Sequence, residues 1–114
     1  MIFTTHELDD GSRVRVRLAR PSDSAAVQAF LEDAPELSVR RLTYYDPHER
    51  LTLVALALED GSERIVGVAE VAFGSDEIAL ITRDDMRRQG LDALLTEAAA
   101  YTRLSRAPRR RRAA

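Results

Sequence analysis

The chain has 114 residues, 45% of them hydrophobic, and this length and composition predict one globular domain with a substantial core. It contains no cysteine and only two histidines, so disulfides, thiolate metal sites and a cysteine nucleophile are excluded and no metal site is predicted. The net charge is only −2, and neither an apolar run of eighteen residues nor a charged-then-apolar leader occurs, so we expect a cytoplasmic protein without a membrane span or signal peptide.

Two extended runs open the chain, over residues 2–8 and 13–19. Asp10-Gly11 lies between them and is a strong signal for a tight hairpin turn. In the second run valine and leucine alternate with arginine, which is the pattern of a strand with one buried and one charged face. The sequence therefore begins with a predicted β-hairpin.

Two helices are predicted next. Residues 20–23 supply capping residues, and apolar side chains follow them at helical spacing. The predicted buried stripe of this first helix consists of Val27, Phe30, Leu31 and Ala34. A second, shorter helix is predicted over residues 37–45, with Val39 and Leu42 facing inward.

Three strands joined by short turns are predicted after the helices. The run over residues 51–58 is almost wholly apolar and too short for a typical helix, so it predicts a buried strand. Turns that contain glycine separate it from the runs over residues 65–73 and 77–82. The predicted core side chains of these strands and of the helix that follows are Leu53, Val54, Leu56, Val66, Val68, Val71, Leu80, Leu94, Leu95 and Ala98.

The last strand leads through a short loop into a final helix, predicted from Leu91 to about Leu104. Backbone N–H groups at the start of a helix lack partners within it, and the helix dipole favours negative charge there. Arg87 adds a cation, and Gly90 lets a ligand approach the backbone. This pattern is typical of a phosphate site, although an ordinary strand-loop-helix connection shares it. The apolar face of the helix carries Leu91, Leu94, Leu95, Ala98 and Tyr101.

All seventeen basic residues are arginine, and six of them lie in residues 103–114, where there is no acid. The net charge is therefore −8 over residues 1–102 and +6 over the rest. A basic terminal run is commonly solvated, so we predict a domain over residues 1–104 and a disordered tail over residues 105–114. Nucleic-acid binding is not expected, because no aromatic residue is interleaved with these arginines to stack on bases.

A hairpin, two helices, a three-strand meander and a phosphate-binding helix, in this order, resemble the GNAT superfamily of acyl-CoA-dependent N-acyltransferases. The closest resemblance is to bacterial protein-lysine acetyltransferases, carried by Asp10-Gly11, by residues 20–23 and by residues 65–68. The family's phosphate loop reads Gln/Arg-x-x-Gly-x-Gly/Ala, and Arg87-Arg-Gln-Gly-Leu-Asp92 matches its first and fourth positions. The resemblance covers residues 8–104 and implies an α+β fold with a mostly antiparallel sheet of four or five strands.

The resemblance also implies an activity, the transfer of an acetyl group from acetyl-CoA to an amine. In that family the strand before the loop lends backbone groups to the pantetheine arm, and the corresponding residues are Leu80, Ile81 and Thr82. The loop amides hold the pyrophosphate, and the corresponding residues are Arg87, Arg88, Gln89, Gly90, Leu91, Asp92 and Ala93. A carboxylate on the strand often serves as the base, and Glu77 is the candidate, although a solvated turn residue is the simpler interpretation.

Two features depart from the family's pattern. Asp92 stands where the family uses Gly or Ala, and a carboxylate about 5 Å from a phosphate costs roughly 3 kcal/mol per charge pair at an effective dielectric of about 20. The family also places a further strand, helix and hairpin after the phosphate-binding helix, whereas no strand pattern follows Leu104. These departures predict weak or absent acetyl-CoA binding and impaired catalysis.

Three functional alternatives are therefore open from sequence. The first is an N-acyltransferase, either minimal or completed by a second chain. The second is a non-catalytic, degenerate GNAT-fold module that serves in binding, regulation or assembly. The third is a truncated or frame-shifted acetyltransferase whose arginine-rich end is not under selection. The sequence does not identify the amine acceptor.

The strand over residues 77–83 also predicts association. If no further strand covers it, its unpaired backbone groups form an edge, and residues 78–81 carry no charge that would prevent pairing with another chain. Most homo-oligomers use a two-fold axis. The sequence therefore predicts a homodimer built at least partly on this strand.

Overall fold

The computed structural model describes residues 5–32 and 35–106, and within them it has five strands and four helices. The strands are β1 (Thr5–Glu7), β2 (Arg13–Leu18), β3 (Arg50–Glu59), β4 (Ser62–Ala72) and β5 (Ile78–Thr82). The helices are α1 (Ser24–Leu31), α2 (Glu36–Thr43), α3 (Asp84–Arg87) and α4 (Leu91–Arg106), and a 3₁₀ turn over Pro21–Asp23 precedes α1. This confirms the predicted α+β fold class.

The strands form one antiparallel sheet in the order β1-β2-β3-β4-β5, so every neighbour in space is also a neighbour in sequence. The turn between β1 and β2 contains Gly11 at a φ of 87°, a conformation that glycine adopts without strain. A register shift between Ala55 and Leu56 interrupts the long β3–β4 ladder. The predicted hairpin and the predicted three-strand meander are both confirmed.

Side chains alternate between the two faces of the sheet and build two separate cores. One face packs against α4, and its largest fully buried side chains include Leu53, Val66 and Val71. The other face packs against α1 and α2, where Val54 and Val68 belong to the buried cluster. Of the ten side chains predicted to form the core, eight are buried, while Leu80 and Leu94 are half-buried against the α4 core.

The buried face of α4 shares Leu91, Leu95 and Ala98 with the predicted face and differs from it at the other positions. Its buried side chains are Leu91, Leu95, Ala98, Ala99 and Thr102. The predicted inclusion of Tyr101 is wrong, because half of this side chain is exposed while the neighbouring Thr102 is buried. Residues three or four positions apart lie on the same face of a helix. Thr102 has this spacing from both Ala98 and Ala99, whereas Tyr101 has it only from Ala98.

Several boundaries also differ from those predicted. Helix α1 ends at Leu31, where Glu32 takes a positive φ of 56°, and the predicted stripe residue Ala34 lies outside the described residues. The one-turn helix α3 had no counterpart in the prediction. Helix α4 continues to Arg106, two residues further than expected, and the rest of the predicted basic tail lies outside the described residues. None of the helices in the described part of the chain has the length and apolar composition that crossing a membrane requires.

Candidate functional site

The end of β5 and the start of α4 meet in a three-residue polar network. The Thr82 hydroxyl donates a hydrogen bond to the Asp92 carboxylate in the first turn of α4. Arg87 Nε donates to the same hydroxyl oxygen over 3.2 Å and lies 3.7 Å from Asp92 Oδ2. Arg87, one of the two arginines of the predicted phosphate loop, is therefore already paired with a carboxylate of the same loop.

Arg87 also binds the backbone at the end of β5. Its Nη2 donates to the Thr82 carbonyl over 3.1 Å and lies 3.0 Å from Asp84 Oδ1. A guanidinium has five N–H donors in a fixed plane, which allows one side chain to hold the hydroxyl, the carbonyl and two carboxylates. Arg87 consequently fixes the geometry of the strand-loop-helix connection.

A second carboxylate lies beside the glycine of the loop. Gly90 has a φ of 98°, a region that side-chain-bearing residues rarely adopt. A Cβ atom at this position would lie 3.7 Å from Asp9 Oδ2, so the carboxylate borders the open side of the glycine. The Asp9 amide donates to the Gln89 carbonyl over 2.9 Å, which ties the β1–β2 turn to the loop. An incoming phosphate would meet two carboxylates there, from Asp9 and Asp92.

The other predicted loop residues contribute in different ways. The Leu91 side chain is fully buried in the α4 core, so only its backbone is available to a ligand. Ala93 is exposed, and the Arg88 side chain is exposed with no ion pair or hydrogen bond within the described residues. Arg88 is thus the cation of this loop that a bound anion would reach without displacing a carboxylate.

The strand β5 is the edge of the described sheet and offers free backbone groups. The Arg83 amide donates to the Val66 carbonyl over 2.9 Å, and the β4–β5 register pairs Gly67 with Thr82. Because residues alternate in an antiparallel ladder, the backbone groups of Ile78, Leu80 and Thr82 point away from β4. Of these groups, the Thr82 carbonyl already accepts from Arg87.

Two adjoining cavities, of about 420 and about 220 Å³, open on the α2 side of β4 and β5. The larger is lined by Leu31, Ser38, Arg41, Leu42, Val68, Glu70, Ala79 and Ile81. The smaller is lined by Arg41, Arg50, Glu70, Ala72, Ser75, Glu77 and Ala79. Of the predicted site residues, Ile81 and Glu77 therefore border these cavities, while the predicted loop residues line neither of them.

Glu70 stands where the two cavities join, and the sequence reasoning did not single it out. Its carboxylate accepts from Arg41 on α2 and from Arg50 on β3, each over 3.2 Å, and its side chain is 16% exposed. The sequence does contain a signal for Glu70, because it is the one acid in the mostly apolar run over residues 65–73. The three side chains join α2 to the sheet at the floor of the cavities.

Glu77 lies in the β4–β5 turn, one residue before β5, and its side chain is exposed. Its amide donates to Ser75 Oγ over 3.0 Å, and its carbonyl accepts from Arg103 Nη2 over 2.7 Å. Arg103 reaches from α4 and also donates to the Ala72 and Asp76 carbonyls. The turn that carries the candidate base is therefore held by four hydrogen bonds, while its role stays a prediction.

Arg83 anchors the other end of β5. Its guanidinium donates to both carboxylate oxygens of Glu59 on β3 and to both of Asp85 on α3. These hydrogen bonds lower the pKa of Glu59 and the pKa of Asp85 below their ordinary values. Within the described residues, no group of three or more His, Asp or Glu side chains is arranged to hold a metal ion.

Comparison with known proteins gives a fold match. No protein-family model matches the sequence, and no curated protein matches it significantly. Among solved structures, the chain is similar to the crystal structure of the GNAT domain of S. lividans PAT, with a TM-score of 0.78 and 20% identity. The match covers 92% of this chain and 73% of that chain. The five-stranded sheet and its helices are therefore a GNAT-like fold.

Proposed function

We propose that this GNAT-like domain transfers an acyl group from an acyl-CoA such as acetyl-CoA to an amine, and that it binds the acyl-CoA weakly. One observation carries the proposal: the outer edge of β5 runs from the start of α4 at one end to the Glu77 carboxylate at the other. Among the described residues no strand lies on the outer edge of β5, and this edge runs from Thr82, beside the first turn of α4, to Glu77. An extended arm that bears a phosphate at one end and a thioester at the other would match this path.

The residues fit the two ends of an acyl-CoA unequally. The outward backbone groups of Ile78 and Leu80 can exchange hydrogen bonds with the amides of the pantetheine arm, as another strand would. At the start of α4, helix amides without intrahelical partners favour an anion. So does the Arg88 side chain, which has no partner in the part of the chain that the structure describes. The carboxylates of Asp9 and Asp92 oppose it. We therefore assign the specific contacts to β5 and attribute the weak affinity to the loop.

Glu77 is the proposed general base. When bound, the acyl-CoA supplies a thioester carbonyl as the acceptor of a nucleophile. Glu77 would take one proton from the substrate ammonium, and the neutral amine would then form the C–N bond as the C–S bond breaks. The leaving thiolate would take the second proton from the nitrogen, which gives the amide and the free thiol. Because the Glu77 side chain is exposed, it can reach an amine that enters through the cavity it borders.

A second candidate is a GNAT-like module that no longer catalyses transfer and serves in binding or regulation. The Arg87–Thr82–Asp92 network favours this candidate. The Asp92 carboxylate already neutralises the positive charge of Arg87, which would otherwise attract a pyrophosphate. In this case Asp92 serves the stability of α4, since an acid in the first turn of a helix is stabilising by roughly 0.3–1 kcal/mol.

Calorimetric titration with acetyl-CoA, followed by a thiol-release assay, separates the two candidates. The chain has no cysteine, so every thiol detected comes from CoA, and it has no lysine whose acylation would compete with an added amine. The acceptors are a lysine-containing peptide and a polyamine. Thiol release that depends on the added amine would support the transferase. No heat of binding and no thiol release at millimolar acetyl-CoA would instead support the non-catalytic module.

A further inference from the structure

We propose that the amine acceptor is a small apolar amino acid, which binds with its carboxylate on Arg41 and Arg50 and its amino group beside Glu77. This inference rests on the acyl transfer proposed above and names the class of acceptor. The observation that carries it is the charge arrangement around the cavity of about 220 Å³ on the α2 side of the sheet, which both arginines and Glu77 line.

Two arginines share one acid at the floor of this cavity. Arg41 on α2 and Arg50 on β3 each donate one hydrogen bond to Glu70, over 3.2 Å and to separate carboxylate oxygens. A guanidinium has five N–H donors, and within the described residues neither arginine makes a further hydrogen bond or ion pair. Two cations against one anion leave one positive charge, with free donors that suit a planar carboxylate.

The register of the sheet sets the distance from the arginines to Glu77. Arg50 lies opposite Ala72 on β4, and the register that pairs Val71 with Ile78 continues with Ala72 beside Glu77. Neighbouring strands are about 4.8 Å apart, so the backbones of Arg50 and Glu77 are separated by roughly 10 Å. Both side chains border the same cavity, so the gap between their charged ends is shorter and suits the two charged groups of one small zwitterion.

Small side chains leave room between these charges. Ala72 and Ala79 line the cavity, and longer side chains at these positions would fill it. Drug-sized ligands occupy pockets of about 300–1,000 Å³, so a cavity of about 220 Å³ suits a smaller molecule. The adjoining cavity of about 420 Å³ can receive an apolar side chain, because several of its lining residues are apolar. These are Leu31, Leu42, Val68 and Ile81.

The charges favour an amino acid over other amines. A polyamine would bring two or more cations to a cavity floor that already has one positive charge. A lysine side chain would not use the free arginine donors. An amino acid satisfies both ends of the cavity, with its ammonium beside Glu77 and its carboxylate on the arginines.

Transfer to this acceptor follows the steps given above. The amino nitrogen forms the C–N bond as the C–S bond breaks, and its two protons go to Glu77 and to the leaving thiolate. The products are an N-acyl amino acid and the free thiol of CoA. The product nitrogen is no longer charged, so it is no longer attracted to Glu77.

Binding of the acceptor alone tests the site without depending on catalysis. Calorimetric titration of the whole chain compares leucine with leucinamide and 3-methylbutylamine, which have the same side chain but lack the carboxylate. We expect leucine to bind at least about tenfold more tightly than either, through charge-assisted hydrogen bonds to the arginines.

Single substitutions test the two arginines. Arg50→Gln and Arg41→Gln should each weaken leucine binding about tenfold and leave leucinamide binding unchanged. The Arg41 side chain is 59% exposed, so its replacement should not disturb the fold. Arg40→Gln is the matched control, because Arg40 is an exposed neighbour on α2 that lines neither cavity.

Thiol release from acetyl-CoA separates this inference from the proposed function. We expect kcat/KM for leucine to exceed that for leucinamide at least about tenfold, and Arg41→Gln should remove this difference mainly through KM. Preferential leucine binding with no thiol release from any acceptor would support the amino-acid site and contradict the transferase. Leucine that binds and reacts no better than leucinamide, or a preference that neither arginine substitution reduces, would overturn the amino-acid site.

Discussion

The Thr82 hydroxyl donates a hydrogen bond to the Asp92 carboxylate, and this bond joins the end of β5 to the first turn of α4. It couples the two elements that the proposed acyl-CoA path would use. The same carboxylate that stabilises the junction also repels a phosphate, so fold stability and ligand affinity are opposed at one residue. Changing Asp92 should therefore move the two properties in opposite directions.

We expect Asp92→Gly to tighten acetyl-CoA binding about tenfold, because partial solvent exposure and Arg87 screen the repulsion that is removed. The free energy of unfolding should fall by about 1–2 kcal/mol through the lost hydrogen bond, the lost first-turn charge and the added backbone entropy. Titration calorimetry and chemical denaturation measure the two effects. Asp84→Ala removes an exposed acid that also pairs with Arg87 and controls for overall charge. Binding weakened by Asp92→Gly would reverse our interpretation of this residue.

If the domain transfers acyl groups, Glu77→Gln should lower kcat by about 10²–10⁴-fold while changing the affinity for acetyl-CoA little. The amide cannot take a proton, whereas the turn is held through its backbone and should keep its geometry. Thiol release at saturating amine is the measurement, with Glu97→Gln on the exposed face of α4 as the control. Equal rates in both variants would remove Glu77 from the mechanism.

Close packing of α4 against β4 should make Gly67 intolerant of any side chain. A Cβ atom there would lie 2.7 Å from the Leu95 side chain and 3.3 Å from Thr82, and the buried Leu95 cannot move aside into solvent. We expect Gly67→Ala to lower the free energy of unfolding by about 1–3 kcal/mol. Gly74→Ala is the matched control, since its Cβ would meet nothing within 4 Å and its effect should be near zero. Similar denaturation midpoints for the two variants would contradict this packing.

The Arg17–Asp23 pair is less exposed than the neighbouring Arg15–Glu63 pair, and it should contribute more stability. We expect Asp23→Asn to lower the free energy of unfolding by about 3 kcal/mol at pH 7, because it leaves Arg17 without its partner. Glu63→Gln, which breaks the exposed pair, should cost less than about 1 kcal/mol. Denaturation of both variants at pH 7 measures the difference.

The effect of Asp23→Asn should depend on pH in a defined direction. Hydrogen bonds from Arg17 lower the pKa of Asp23 in the folded protein below its ordinary value of 3.8. The stabilisation is therefore complete above that value and is lost as the pH falls through the lower, folded pKa. The difference between parent and variant should persist from pH 7 to about pH 5 and shrink below pH 4. A difference that stays constant down to pH 2 would argue against this ion pair.

Sequence patterns alone predict the order of the strands and of the three longer helices, together with most of the core side chains. Alternation in residues 13–19 and the apolar run in residues 51–58 identified strands, because period and burial are local properties that each segment carries. Asp10-Gly11 identified the hairpin for the same reason, since turn geometry depends on the backbone preferences of a few residues. These local signals predict the element order on which the resemblance to the GNAT superfamily rests.

The arrangement of the site follows from contacts that form only in the folded chain. The network of Arg87 with Thr82 and Asp92 joins three consecutive elements, β5, α3 and α4. Asp9 beside Gly90, and Glu70 with Arg41 and Arg50, are brought together from elements far apart in the sequence. The buried face of α4 likewise depends on which helix rotation fits the sheet, and one residue of rotation exchanged Tyr101 for Thr102. Side-chain pairing and helix rotation are set by packing against the rest of the fold, which no local pattern encodes.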